Sequence, residues 1–207
     1  MFTGIIKGIG EVSSYDQTSF VLCITCSQFA NLKTLGASVA INGVCLTVSH
    51  LDKKRPTTLG FDLGRETREV SLLKDLGPGA LVNVELALAM GDPLDGHLVQ
   101  GHVEGVAEIV WVEASENGKT MRFKCMPSLM AMIVPKGSIA LDGVSLTVNQ
   151  VVGDWFSVFL VPQTVRGTNF KTRSTGDLVH VETDIIGRYL HHFYRRLDDS
   201  HHVRTAS

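Results

Sequence analysis

The chain has 207 residues, of which 44% are hydrophobic and 19% are charged, and its formal net charge is −2. This composition is typical of a globular protein and argues against disorder. A charge near zero provides no basic surface for nucleic acid and no polybasic membrane anchor. The first residues do not form a signal peptide, and no run of about 18 apolar residues occurs. We therefore expect a cytoplasmic protein with neither nucleic acid nor a membrane among its partners.

The first half of the chain predicts β-strands with short helical turns. Runs of Val, Ile, Leu and Thr recur at intervals of roughly 8 to 12 residues, which indicates a barrel or a sandwich. The pair Asn42-Gly43 lies between two such runs, and it suits a two-residue hairpin turn because both positions take positive φ. Helical turns are predicted at residues 27–32 and 66–76. Cys23 and Cys26 have the spacing of a redox or zinc motif, but i and i+3 point to opposite faces of a strand, so no metal site is expected.

The second half repeats the first. GIIKGIGEV from Gly4 corresponds to GHVEGVAEI from Gly101, an offset of 97 (101 − 4), and INGVCLTVSH corresponds to LDGVSLTVNQ. A segment containing Gly and Pro, residues 90–96, separates the copies. The expected fold is all-β, a tandem repeat of two similar six-stranded β-barrels with short helices, at residues 1–96 and 97–184.

The last segment belongs to neither copy. Ile186, Tyr189, Leu190 and Phe193 recur at helical spacing, so an amphipathic helix is predicted over residues 185–197. Its apolar stripe either packs on the chain's own barrel or packs against other subunits, and the pattern alone does not decide between them. The polar residues 198–207 are expected to be disordered.

Polar residues share one face of the strand that follows each hairpin turn. Alternate residues of a strand point to the same side, so the apolar residues of VCLTV face the barrel interior. Cys45 and Thr47 therefore project outward, as do Ser145 and Thr147 in the second half. A polar pair on an outer face is usually solvated surface, but its recurrence in both copies favours a functional role.

The two copies differ at positions that matter for chemistry. The second half has His102 for Ile5, Asp142 for Asn42, Ser145 for Cys45 and Asp184 for Ala87. Imidazole and carboxylate groups transfer protons near neutral pH. The differences therefore predict two related binding surfaces, of which the second carries the acid-base groups.

Four motifs, in this order and spacing, identify a family: MFTGII, NGVCLTV, GHLVQGHVEG and DGVSLTV. With them the chain resembles the riboflavin synthases, the two-barrel lumazine-binding family, from residue 1 to about residue 195. The resemblance implies a transferase that converts two molecules of 6,7-dimethyl-8-ribityllumazine into riboflavin and 5-amino-6-ribitylamino-pyrimidinedione by moving a four-carbon unit. It implies no metal and no cofactor. It also implies a homotrimer held partly by C-terminal helices, and it leaves association with a lumazine synthase undecided.

The resemblance also implies roles for particular residues. Cys45, Thr47 and Thr67 would line the first pocket, and the second pocket would contain His102, Asp142, Ser145, Thr147, Thr164 and Asp184. His102 is the expected proton shuttle, and Ser145, oriented by Asp184, is expected to activate or supply the oxygen nucleophile. Cys45 is also expected to be catalytic, whereas Thr47, Thr67, Asp142, Thr147 and Thr164 would bind substrate. Val44 stands where many relatives have a second cysteine.

The main alternative is a non-catalytic antenna protein of the same fold that binds lumazine or flavin. Such relatives lose the polar groups of the second copy. His102, Ser145 and Thr147 are all present in this chain. The sequence therefore favours the enzyme.

Overall fold

The computed structural model describes residues 1–32 and 34–205, with side chains described up to residue 197. The first half contains six strands: β1 (Gly8–Asp16), β2 (Val21–Thr25), β3 (Ser38–Ile41), β4 (Val44–Leu51), β5 (Thr58–Asp62) and β6 (Leu81–Leu86). The second half contains the equivalent six: β7 (Gly105–Ser115), β8 (Gly118–Cys125), β9 (Ser138–Leu141), β10 (Val144–Val152), β11 (Trp155–Leu160) and β12 (Leu178–Thr183).

Helices are few and, apart from the last one, short. They are α1 (Arg65–Val70), α2 (Pro127–Met130), α3 (Pro162–Gly167) and α4 (Ile185–Thr205). Single turns of 3-10 helix occur at Ser27–Asn31, Leu73–Asp75 and Asn169–Lys171. The helical turns predicted at residues 27–32 and 66–76 are confirmed.

Each set of six strands closes into an antiparallel barrel. The strand order is β1-β2-β5-β4-β3-β6 in the first barrel, and around the second barrel it is β7-β8-β11-β10-β9-β12. The two orders are the same, so both copies have one topology. This confirms the predicted fold class.

The interior of each barrel is filled by apolar residues that alternate along each strand. Val44, Leu46 and Val48 are buried, as the alternation predicts. Phe123 and Phe156 stack in the second barrel with their ring centroids 5.4 Å apart. Full burial of such a side chain contributes roughly 1.5–3 kcal/mol, so the barrel cores dominate the stability of the fold.

The two barrels meet at their β3-β4 and β9-β10 hairpin turns. Asn42 and Gly43 have φ values of 45° and 78°, and Asp142 and Gly143 have 46° and 79°, which confirms the predicted turns. A Cβ atom at Gly43 would lie 2.6 Å from the amide nitrogen of Gly143, and one at Gly143 would lie 2.7 Å from that of Gly43. Glycine is therefore needed here both for positive φ and for the close approach of the turns.

The N-terminal segments of the two halves pair with each other between the barrels. The Phe2 N–H donates to the Val99 carbonyl oxygen at 2.7 Å, and the Val99 N–H donates back at 3.1 Å. Phe2 and Val99 are buried together with Ala40 and Ala140. Residues 1–96 and 97–184 are consequently joined through this small apolar cluster.

The last helix is longer than predicted and leaves its apolar stripe uncovered. It continues from Ile185 to Thr205, although residues 198–207 were expected to be disordered; residues 206 and 207 lie outside the described part of the chain. The sequence after Gly187 contains no Gly or Pro that would stop a helix. Tyr189, Leu190 and Phe193 are between 57% and 65% exposed, so within one chain the stripe does not pack on its own barrel. Within the described residues, no helix is sufficiently long and apolar to span a membrane.

Candidate functional site

The first residues of each half lie against the barrel of the other half. There they contact the strand that bears the outward-facing polar pair, β10 for the first half and β4 for the second. The Ser145 N–H donates to the Gly4 carbonyl oxygen at 2.8 Å, and the Cys45 N–H donates to the Gly101 carbonyl oxygen at 2.9 Å. A Cβ atom at Gly4 would lie 2.6 Å from the Ser145 Cβ, and one at Gly101 would lie 2.5 Å from the Cys45 Cβ. Both segments therefore need glycine at this point, because a side chain would clash with the strand beneath it.

Two buried glutamates hold the crossing segments in place. Glu85 accepts hydrogen bonds from the Thr3 N–H at 2.7 Å and from the Gly4 N–H at 3.0 Å. Glu182 accepts from the N–H groups of Gln100, Gly101 and His102 at 2.7, 2.8 and 3.0 Å. Burial raises the pKa of Glu182, although these three donors oppose the rise.

The first-barrel site consists of Cys45, Thr47, Thr67 and His102. His102 follows Gly101, whose carbonyl group binds the Cys45 amide, and His102 itself is exposed. Its expected place in the second pocket is therefore wrong. Alignment of the repeats matches His102 with Ile5. It cannot show that the segments containing these two residues each lie on the barrel of the other half.

The second-barrel site consists of Ser145, Thr147, Thr164, His97 and Asp184. His97 Nδ1 lies 2.7 Å from Ser145 Oγ, and only 9% of the His97 residue is exposed. Burial lowers the pKa of His97, while the negative charge of Asp184 acts in the opposite direction. His97 Nε2 is buried and has no hydrogen-bond partner among the described residues.

His97 was missed in the sequence, and it changes the expected role of Asp184. The charge of Asp184 raises the pKa of His97, whose Nδ1 lies 2.7 Å from Ser145 Oγ, but among the described residues no hydrogen bond joins Asp184 to Ser145 or to His97. Asp184 also begins α4: its Oδ1 accepts the Ile186 N–H at 3.0 Å, and its carbonyl oxygen accepts the Arg188 N–H at 3.0 Å. His97 belongs to the same GHLVQGHVEG motif as His102, so the signal was present in the sequence.

The four threonines occupy equivalent places in the two sites. Thr47 and Thr147 are exposed on β4 and β10, on the same faces as Cys45 and Ser145. Thr67 and Thr164 are half-buried on α1 and α3, the helices that follow β5 and β11. Since β5 pairs with β4 and β11 pairs with β10, each helix starts beside the strand that bears the polar pair.

Asp142 lies outside both sites, in a buried polar network between the barrels. It is fully buried, and its Oδ2 accepts hydrogen bonds from Asn169 Nδ2 at 2.7 Å and from Arg173 Nη2 at 2.8 Å. Burial opposes its ionisation, but hydrogen bonds from His180 and the charge of Arg173 together hold the pKa of Asp142 below its ordinary value. Asp142 has no surface left for a substrate, so its expected binding role is corrected to a structural one.

The same network repeats across the two halves. The Asn169 N–H donates to Asn83 Oδ1 at 2.7 Å, and at the equivalent place the Leu72 N–H donates to His180 Nε2 at 2.8 Å. His180 Nδ1 lies 2.8 Å from the Asn42 carbonyl oxygen. Because Nε2 accepts a backbone N–H, His180 is the neutral tautomer that carries its proton on Nδ1.

The described residues contain no group of three or more His, Cys, Asp or Glu side chains arranged to hold a metal ion. The four cysteines, Cys23, Cys26, Cys45 and Cys125, are free thiols. Burial raises the pKa of Cys125 to about 11.

Comparison with known proteins agrees with this duplicated arrangement. Residues 3–87 and 100–184 each match the lumazine binding domain family. The riboflavin synthase of Bacillus subtilis (strain 168) is 37% identical over 209 residues, covering 100% of this chain and 96% of that protein. The riboflavin synthase of Escherichia coli (strain K12) is 39% identical over 189 residues, covering 89% and 87%.

Solved structures show the same fold. LumP complexed with 6,7-dimethyl-8-(1'-D-ribityl) lumazine superposes with a TM-score of 0.77, at 22% identity, over 88% of this chain and 99% of LumP. LumP complexed with riboflavin gives a TM-score of 0.79 at the same identity and coverage. The two matched domains and the relatives of similar length and higher identity together show that the chain belongs to the riboflavin synthase family.

Proposed function

We propose that the protein is a riboflavin synthase, in which two molecules of 6,7-dimethyl-8-ribityllumazine react to give riboflavin and 5-amino-6-ribitylamino-pyrimidinedione. The observation that carries the proposal is the pair of equivalent sites on a duplicated scaffold, of which only the second contains the Ser145–His97 hydrogen bond with Asp184 nearby. A reaction between two copies of one substrate needs two similar sites. The four-carbon unit lost by one molecule is gained by the other, so the reaction needs neither an oxidant nor a metal.

In the second-barrel site, His97 acts as a general base toward Ser145. A neutral imidazole at 2.7 Å accepts the Ser145 hydroxyl proton, and burial favours the neutral form of His97 near neutral pH. The activated oxygen then serves as the nucleophile, or activates water, toward the ring of the bound lumazine. The charge of Asp184 stabilises the imidazolium that forms, as a carboxylate does in other serine and histidine sites.

In the first-barrel site, His102 acts as the proton shuttle for the second lumazine. It is exposed beside the Cys45 strand, where it can reach a ligand lying on Cys45 and Thr47. The chemistry needs a proton removed from the acidic C7 methyl group of one lumazine. Holding two ring systems in reacting orientation contributes on the order of 7–11 kcal/mol, so we expect alignment to be the larger effect.

The two sites meet between subunits of a homotrimer. Thr47 and Thr147 are exposed in the single chain, so each site needs a cover that excludes water. The uncovered residues Tyr189, Leu190 and Phe193 of α4 provide a surface for self-association. The first barrel of one subunit would then face the second barrel of its neighbour. A cytoplasmic location is part of the same proposal.

The antenna alternative is less well supported. The full-length relatives with 37% and 39% identity are riboflavin synthases, whereas LumP is 22% identical. The chain also retains Ser145, His97, Asp184 and His102. Groups of these types can transfer protons in catalysis.

The test is to incubate the purified protein with the lumazine alone and to follow flavin fluorescence in the presence of a chelator. We expect one riboflavin for each two lumazines consumed. Stoichiometric binding of unconsumed lumazine would instead support the antenna protein, and activity restored only by an added metal ion would contradict the metal-free mechanism.

A further inference from the structure

The first turn of α4 is fastened to the second barrel by one partly buried ion pair. Arg188 Nη2 lies 3.0 Å from Glu104 Oε2 and 3.3 Å from the Thr183 carbonyl oxygen. The two charged side chains are only 26% and 18% exposed. The exposed ion pairs of the chain differ in this respect, since Arg55 and Asp52 are 66% and 30% exposed.

Glu104 fixes the residue that immediately precedes Asp184. The same Oε2 atom of Glu104 accepts the Thr183 N–H at 2.7 Å and the Thr183 hydroxyl at 2.8 Å. Asp184 therefore lies between Thr183, which Glu104 holds, and the α4 turn, which Arg188 holds. Its own hydrogen bonds to the N–H groups of Ile186 and Arg188 complete this turn.

Among the described residues, the equivalent of the Arg188–Glu104 ion pair is missing from the first half. Glu104 corresponds to Lys7 (104 − 97) and Asp184 corresponds to Ala87 (184 − 97) in the first half, and Arg188 corresponds to Gly91 (188 − 97). The buried glutamates Glu85 and Glu182 and the glycines of the crossing segments, in contrast, recur in both halves. The ion pair therefore accompanies the acid-base groups and is not part of the shared scaffold.

We infer that Arg188, with Glu104, is a positioning residue that holds Asp184 in place at the start of α4 for its role in the second-barrel site. The inference rests on the proposed function of the second-barrel site. Arg188 contacts no residue assigned to substrate, so it acts through the α4 turn and not on the reacting atoms. Loss of the ion pair frees the turn, and Asp184 is then no longer held in place.

The test compares Arg188→Ala, Arg188→Lys and Glu104→Gln in the full-length protein. We expect Arg188→Ala to lower kcat about 10-fold or more, because a small misplacement of a catalytic group is costly, with KM within about twofold. Arg188→Lys keeps the charge and should remain within about threefold of the wild type. Arg55→Ala, which removes an exposed ion pair far from the site, is the matched control and should leave kcat unchanged.

The pH profile separates positioning from a general structural role. Asp184 raises the pKa of His97, so a displaced Asp184 moves the acidic limb of kcat/KM to lower pH. Removing the positive charge of Arg188 would by itself move that limb to higher pH. A shift to lower pH in Arg188→Ala, opposite to the shift that the lost charge alone would cause, supports the inference, and an unchanged limb or an upward shift overturns it.

Combination with Asp184→Asn gives the second readout. If Arg188 acts through Asp184, the double variant should be no slower than Asp184→Asn alone, whereas additive losses would contradict the inference. Light scattering checks that assembly is retained; should Arg188→Ala dissociate, the same comparison with Asp184→Asn is made with Glu104→Gln instead. An inactive wild type would refute the proposed function, whereas an active wild type with unaffected variants would refute only this inference.

Discussion

In the first barrel Glu85 binds the amides of Thr3 and Gly4, and in the second barrel Glu182 binds those of Gln100 and Gly101 in the same way. Beyond this shared scaffold the halves diverge. Ser145 is bound to a buried histidine, whereas no side-chain hydrogen bond to Cys45 Sγ occurs among the described residues. The comparison teaches that the two halves share the hydrogen bonds that shape the sites, while the hydrogen-bonded Ser145–His97 pair belongs to the second-barrel site alone.

The difference between the two sites is tested most strongly by truncating the side chains of the equivalent residues Ser145 and Cys45. We expect Ser145→Ala to lower kcat about 100- to 1,000-fold, because a general base loses the group on which it acts. Cys45→Ala should cost less than about 10-fold, since the thiol has no base bound to it. Steady-state formation of riboflavin measures both. Equal losses would show that the two sites are chemically equivalent.

The buried Asp142 can be changed to the residue that the first half already uses. Asp142→Asn should lower the free energy of unfolding by about 3 kcal/mol at pH 7, because Arg173 loses its partner. The folded-state pKa of Asp142 is depressed, so its stabilisation is present above the ordinary value of 3.8 and is lost as the pH falls through the folded pKa. Urea denaturation at pH 7 and at pH 3 should therefore show a smaller difference at pH 3. A difference that grows at pH 3 would contradict this assignment.

The contact between the hairpin turns should be equally sensitive from both sides. Gly43→Ala and Gly143→Ala should each destabilise the fold by about 2 kcal/mol or more, because the new Cβ meets backbone of the opposite turn. Gly36→Ala is the control: Gly36 also has positive φ (84°), but it has open space around it, so about 1 kcal/mol is expected. Thermal unfolding compares the three. If Gly43→Ala destabilises the fold no more than Gly36→Ala does, the close contact between the two hairpin turns is contradicted.

The smallest expected effect is a shift in the pH dependence of kcat/KM, which follows the pKa of His97. Burial lowers the pKa of His97, so the acidic limb of kcat/KM should lie below 6.5, the ordinary histidine value. Asp184→Asn removes the charge that raises this pKa and should move the limb lower still. Measurement of kcat/KM from pH 5 to 8 tests both points. A limb above pH 7 would be inconsistent with a buried neutral His97.

The barrels could be predicted from the sequence because local signals determine them. Alternating apolar residues placed Val44 and Leu46 inside, and the Asn42-Gly43 and Asp142-Gly143 turns require positive φ whatever surrounds them. The internal repeat then gave two barrels of one topology. These features depend on neighbouring residues, and the structure confirms them.

The errors concern contacts between residues that are distant in sequence. Aligning the repeats put His102 with the second barrel, because the alignment cannot show that Gly101 crosses to Cys45. Asp142 was expected to bind substrate, since only the fold shows that it pairs with Arg173 in a buried network. His97 was overlooked although it belongs to the same GHLVQGHVEG motif as His102, because the motif does not show which residue of the second barrel His97 contacts.

The most direct test of two unlike half-sites meeting between subunits is complementation. One variant would lose the first-barrel site by Cys45→Ala and His102→Ala, and the other would lose the second-barrel site by Ser145→Ala and His97→Ala. Pairing the substitutions in this way follows the crossing of the segments, which puts His102 with Cys45. After co-refolding at equal amounts, about a quarter of the head-to-tail interfaces should pair two intact sites. The account predicts riboflavin formation far above the sum of the separate variants; a mixture that is folded and assembled but stays inactive would contradict it.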